Sequence, residues 1–362
     1  MKRIASLCAF FAVIPFFSNA TVWTVSNNID RPAQFTTVQQ AIDAASPNDT
    51  ILITGGTYDG GTSVKPLVYY GEAIEGSQFP VTTINNFTLG RFNSSLSSSG
   101  SRCYGIVFSN VTLNSGFGGA SAGQQTLSDM IFERCIISNY SNQTGGNVGD
   151  DISNVTFRNC LFPGGTFYFT YFPWNPGIIE NITITNCVIQ GTSFYSNIYG
   201  QLYDFNGNIL FRNNVFINRP TQTFYAIQEA VLENNIFYAA EPTGLSVSTF
   251  NNNITYLCNS NTIPYGDNLG SGNIVNADPL FINYPQLGGP HSWSYDYGLQ
   301  AGSPADATGT NGTDIGLTGG NAPVNNLPKY AKIPGVTSLS IPVSSVPVGG
   351  TLQINIEAES RD

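Results

Sequence analysis

The chain has 362 residues, and only 10% of them are charged, against 41% apolar and 12% aromatic. Twenty-three acidic residues against thirteen basic ones leave a formal net charge of −10, which argues against nucleic acid as a partner and repels acidic polymers at long range. The 24 Phe and 18 Tyr exclude a disordered chain and favour strands over surface helices.

Residues 1–20 read as an export signal. Lys2 and Arg3 precede the apolar run 4–17, and Ser18-Asn19-Ala20 supplies small residues for cleavage. The run is too short for a membrane span, no later segment is long enough, and the mature chain is expected to begin near Thr21 in a secreted or cell-surface protein. Five cysteines remain (Cys103, Cys135, Cys160, Cys187, Cys258), without C-x-x-C pairs, and the single histidine is His291. No disulfide framework, metal site or histidine-based catalytic triad follows from them. No cofactor is expected; calcium is compatible with the composition but nothing indicates it.

After Phe35-Thr36-Thr37, the stretch 38–46 (VQQAIDAAS) reads as a short amphipathic helix with Val38, Ala41, Ile42 and Ala45 on one face, and 50–58 (TILITGGTY) as a strand and turn. The middle of the chain is repetitive. The segments 130–137 (MIFERCII), 155–162 (VTFRNCLF), 182–189 (ITITNCVI), 209–216 (ILFRNNVF) and 230–237 (AVLENNIF) align without gaps. Cys135, Cys160, Cys187, Asn214 and Asn235 fall in one column, at steps of 25, 27, 27 and 21 residues. Looser matches lie at 106–113 and 248–255.

Alternation puts Phe132, Phe157, Ile184, Phe211 and Leu232 on one strand face with Met130, Val155, Ile182, Ile209 and Ala230. The position before the reference is Arg134, Asn159, Asn186, Asn213 and Asn234, and Asn tolerates the left-handed backbone of a sharp turn. A further apolar column follows: Ile136, Leu161, Val188, Val215 and Ile236. Each repeat is therefore strand, turn, strand. Such a unit buries its apolar face only by stacking on its neighbours, which is the logic of a solenoid. The expected fold is all-β, a right-handed parallel β-helix over 21–320, opened by the capping helix. Beyond it come a linker at 321–335 and a C-terminal β-hairpin tail, with strands at 336–342 and 351–358. The tail is expected to pack on the solenoid or to serve attachment or secretion.

The stretch 36–58 resembles the N-terminal cap of pectin-lyase-like right-handed β-helix proteins. NADPLF (276–281), DYGLQAGSPADA (296–307) and DIGLTGG (314–320) resemble the closing segment of exported bacterial members. The resemblance implies the fold; that group holds lyases, hydrolases, epimerases, esterases and adhesins, so it implies no single activity.

Residues 165–174, 191–200 and 221–228 align at Phe167/Phe194/Phe224 and at Tyr168/Tyr195/Tyr225, one column inside and the other outside. With Tyr171, Trp174, Tyr199 and Tyr203 nearby, the outward tyrosines are the candidate carbohydrate-binding face, because amphipathic rings suit sugar faces. For acid–base chemistry the candidates are Asp151, Asp204, Arg219 and Glu229, each weighed against a surface or turn role. The column Glu133, Arg158, Thr185, Arg212, Glu233 reads as a ladder of ion pairs. The stacked cysteines read as small buried residues rather than metal ligands. Asn110, Asn154, Asn181 and Asn253 open N-x-T triplets, read as turn and strand positions rather than glycosylation sites. The sequence supports three readings: an exported β-helix that binds polysaccharide or a cell-surface glycan without catalysis, a polysaccharide lyase or glycoside hydrolase with a lateral groove, or a structural or adhesive stalk. Oligomeric state is not legible.

Overall fold

In the computed structural model, residues 20–76, 80–93, 95–116, 125–143, 150–170, 178–197, 209–330, 335–340, 349, 351 and 355–359 are described. They form a right-handed parallel β-helix. One sheet, A, has ten strands in strict chain order from Val22–Val25 to Thr249–Asn251, and a twelve-stranded sheet, B, runs beside it. All pairings inside these two sheets are parallel, as a coil returning over itself requires. Among the described residues no helix is long and apolar enough to cross a membrane.

The repeat columns are files along the coil. Phe132 pairs with Phe157, Phe157 with Ile184, Ile184 with Phe211 and Phe211 with Leu232. These side chains point inward and are fully buried. Their rings stack, Phe132 on Phe157 at 5.1 Å and 12°. The looser match at 106–113 belongs elsewhere: Cys103 pairs with Phe132 in sheet A, whereas Val107 pairs with Ile136 in sheet B. The repeat equivalent to 130–137 is thus displaced upstream, to a stretch where Gly105 (φ 64°) takes the corner that Asn or Arg takes later.

The Asn prediction holds at the corner between the sheets. Arg134, Asn159, Asn186, Asn213, Asn234 and Asn252 all have φ between 50° and 56°. The next residue points inward and builds a ladder. Asn214 N donates to Asn235 Oδ1 (3.0 Å), Asn235 N to Asn253 Oδ1 (2.9 Å) and Asn253 N to Asn273 Oδ1 (3.0 Å). Asn235 Nδ2 donates to Phe211 O (2.8 Å). Upstream, cysteines fill the same file: Cys160 N donates to Cys187 Sγ (3.3 Å), and Cys160 Sγ donates to Phe132 O (3.4 Å). A thiol reproduces, more weakly, the accept-from-amide and donate-to-carbonyl pattern of the carboxamide. Cys135, Cys160 and Cys187 are free, buried thiols, and burial pushes Cys135 and Cys187 well above the ordinary thiol range.

The helix Val38–Ala44 closes the first end. Thr37 and Gln40 form a capping box, and Val38, Ala41 and Ile42 are buried against the first coil. Lys65 Nζ satisfies the carbonyls of Ile42, Asp43 and Ala45 at the helix C-terminus.

The column Leu161, Val188, Val215, Ile236 and Ile254 points out of the coil. It becomes a second core under Phe281, Tyr297, Ala305, Ile315, Leu317 and Leu327. The closing segment then runs back along the corner. Asn234 Oδ1 accepts from Thr310 N, Asn213 Nδ2 donates to Asp314 O and Gly316 O, Asn186 Nδ2 to Leu317 O and Gly319 O, and Asn159 Nδ2 to Ala322 O. Tyr330 reaches Ala73, and Lys329 pairs with Glu75 at 3.5 Å. The reading of 321–335 as a linker is therefore revised at 321–330, which is strapped to the solenoid. Asparagines on the outside of a left-handed corner carry Nδ2 donors that find no acceptor within their own rung, so they capture the strap's carbonyls. Gly335–Ser340 and Asn355–Glu359 pair as the antiparallel tail hairpin.

Candidate carbohydrate-binding face

Past the covered column, each rung of sheet B turns and presents a second face that the closing segment does not cover among the described residues. Tyr168 pairs with Tyr195, and Tyr195 with Tyr225, while the alternating Phe167, Phe194 and Phe224 are buried. The tyrosine rings sit 5.2 Å apart (33°) and then 4.4 Å apart (13°). All three are partly exposed. Burial, with Tyr225 beside it, pushes the Tyr195 phenol above its ordinary value, so the ring carries a neutral hydroxyl at pH 7.

The file continues upstream as smaller hydroxyl residues. Tyr168 pairs with Ser141, Ser141 with Thr112 and Thr112 with Thr88. A parallel file of amides runs beside it: Asn86, Asn110 and Asn139. Asn110 Nδ2 donates to Asn86 Oδ1 (3.0 Å), and Asn139 Oδ1 accepts from Thr166 N (3.2 Å). The drop in side-chain size from Tyr168 to Ser141 and Thr112 coincides with a groove of about 440 Å³, lined by the three asparagines, Thr112, Ser141, Thr166 and Tyr168 among others. None of its described lining residues is charged. Side chains that both donate and accept, set beside aromatic carbon, are what a sugar's hydroxyls and C–H faces require.

Tyr171, Trp174, Tyr199 and Tyr203, which the sequence reading placed with this face, lie outside the described residues, as does Asp204. The remaining acid–base candidates fall in different places. Arg219 lies beside the tyrosine file, where its guanidinium donates to Gln222 O (3.2 Å), Gly191 O (3.3 Å), Ser193 Oγ (2.7 Å) and Tyr225 Oη (3.1 Å). It acts as a clamp between rungs. Asp151 is on sheet A, with Oδ1 accepting from Ile178 N (2.8 Å). Glu229 occupies a left-handed corner (φ 55°) in the same file as Asp129, Asn154 and Asn181. The sheet A register separates the Asp151 and Glu229 rungs by three steps, about 14 Å, more than a carboxylate pair for glycoside hydrolysis spans. The expected ion-pair ladder is present on sheet A: Glu133 pairs with Arg158, and Arg212 with Glu233 at 2.6 Å. Among the described residues no group of three or more His, Cys, Asp or Glu side chains is placed to hold a metal ion.

The amide file was missed from the sequence, although a signal existed. Asn86-Phe87-Thr88, Asn110-Val111-Thr112 and Asn139-Tyr140-Ser141 repeat the same triplet in register. The other N-x-T triplets have different fates, since Asn154 and Asn181 form a corner ladder and Asn253 belongs to the buried ladder. Only the register sorts them.

Among solved structures, the chain is similar to a mutant pectin methylesterase in complex with a hexasaccharide, at 15% identity and a TM-score of 0.29, the match covering 66% of this chain and 80% of that one. No protein-family model matches the chain. No curated protein matches it either. The architecture described above rests on the strand pairing of this chain itself.

Proposed function

We propose that this protein is a carbohydrate-binding β-helix whose open sheet B face receives a glycan without catalysis. The observation that carries this reading is the continuity of Tyr168, Tyr195 and Tyr225 with a groove lined by amides and hydroxyls. Stacking on partly exposed rings supplies affinity, and the ordered Asn and Thr/Ser files supply hydrogen bonds whose geometry is held by the sheet below. The signal-like N-terminus supports an extracellular or cell-surface setting, where polysaccharides are the abundant partners. Affinity electrophoresis through gels cast with single polysaccharides tests the reading. Retardation by at least one of them is expected, with loss of that retardation in a Tyr168→Ala/Tyr195→Ala double variant that keeps its β-type circular dichroism. No retardation across a broad panel, charged and uncharged, refutes it.

A further inference from the structure

Resting on the carbohydrate-binding reading, we propose that the ligand is an uncharged polysaccharide lying along the solenoid axis, several sugars spanning successive rungs. Two independent observations lead there.

The first concerns charge. A polyuronate or sulfated glycan must be met by cations, because its carboxylates or sulfates lose water on binding and need charge-assisted partners in return. The described residues include nine arginines and lysines, and eight of them are already engaged by ion pairs or hydrogen bonds within the chain. Arg31, Arg134, Arg158, Arg212 and Lys329 pair with carboxylates. Lys65 is spent on the helix C-terminus, Arg91 on Thr126 O and Arg219 on the clamp at Tyr225, while Arg102 is exposed on sheet A and does not line the groove. The groove itself carries no charged side chain among its described lining residues, and the chain is acidic overall. An anionic polymer would be repelled at a distance and meet no cation along the described groove lining, while Arg219, at the Tyr225 end of the strip, is held by four hydrogen bonds within the chain. A neutral one faces neither penalty.

The second concerns direction. Both files run along the coil, so chemically similar groups recur once per rung: Thr112, Ser141, Tyr168, Tyr195 and Tyr225 in one, and Asn86, Asn110 and Asn139 in the other. From Thr112 to Tyr225 there are four rung steps, a strip of about 19 Å at the spacing of adjacent strands. A chain crossing the strip at right angles would meet one rung and waste the repetition. A chain lying along it meets the same chemistry at each step, and its contacts add through linkage of successive units.

Isothermal titration of the full chain with neutral and anionic oligosaccharide series tests this. The probes are β-glucan, xylan and mannan oligomers on one side and polygalacturonate and alginate oligomers on the other. Binding is expected for a neutral series, with affinity rising over the first several sugars and then levelling. It should be insensitive to salt between about 0.05 and 0.5 M, a range over which an ionic contact would be strongly screened. Tyr225→Ala and Asn110→Ala, at opposite ends of the strip, should each weaken a long oligomer about two- to tenfold, while a disaccharide responds to no more than one of them. Binding confined to the anionic series, or weakened strongly by salt, overturns the uncharged assignment and leaves carbohydrate binding intact. Affinity independent of chain length, or indifferent to one end of the strip, overturns the axial placement. Binding of neither series overturns the carbohydrate reading itself.

Discussion

Sheet B has two outward surfaces that differ in one respect and diverge completely in consequence. On one, the outward-pointing positions are Leu161, Val188, Val215, Ile236 and Ile254, and the closing segment has folded over them. On the other, they are Thr, Ser, Asn and Tyr, and among the described residues they line a groove that the closing segment leaves uncovered. The backbone geometry is the same repeated coil in both cases. What differs is whether the file could stay in water: five stacked aliphatic side chains form an apolar patch that must be covered, whereas amides, hydroxyls and phenols are satisfied by water until a ligand displaces it. The lesson is that outward-facing columns of a solenoid divide into those that recruit the chain's own tail and those left for a partner.

The strongest way to break the comparison is at the covered surface. Tyr297 is fully buried between Phe281 and Tyr284, with its hydroxyl 3.0 Å from His291 Nδ1. Tyr297→Ala should cost about 3–5 kcal/mol in urea unfolding, as large aromatic truncations in a core do. It should also make residues 277–330 the first region to exchange amide hydrogens.

The same lid should be weakened by acid. His291 is half-buried beside Trp293 and Tyr297, and desolvation lowers its pKa from 6.5 to about 4. The folded lid therefore holds His291 neutral while the unfolded chain protonates it. The stability tied to neutral His291 is complete above about pH 6.5 and is lost as pH falls toward 4, an effect of about 3 kcal/mol. Melting curves across that window should fall more steeply for the wild type than for His291→Gln. Parallel curves would show that the imidazole is not enclosed.

The strap offers a smaller test. Asn186→Gly keeps the left-handed corner (φ 50°) but removes the donors to Leu317 O and Gly319 O. A loss of about 2 kcal/mol is expected for two buried carbonyls left without partners, and a loss near zero would mean that the strap is held by its apolar side chains alone. The open face should respond least. Tyr195→Ala removes ring contacts with Tyr168 and Tyr225 and should cost about 1 kcal/mol of stability. Its main effect belongs to glycan binding, so a stability loss as large as that of Tyr297→Ala would erase the distinction between the two surfaces.

Much of this was legible without coordinates. Repetition at 130–137, 155–162, 182–189, 209–216 and 230–237 determined the coil, the inward Phe file and the left-handed Asn corner, and the alignment of 165–174, 191–200 and 221–228 the outward tyrosines, because parallel stacking obliges equivalent residues to share an environment. The cap helix read over 38–46 followed from its 3.6-residue apolar period, and the structure ends it at Ala44. What the linear chain could not decide was anything between distant segments. The apolar column at Leu161 and Val188 reads the same whether it faces the interior or a lid, and only folding of 277–330 chose the lid. Asn110, Asn154 and Asn253 begin identical triplets but occupy a groove, a corner and a buried ladder. Register within a coil is local and therefore written in the repeat. Which outer surface is covered, and which amides line a groove, depends on contacts that close only when the whole solenoid has formed.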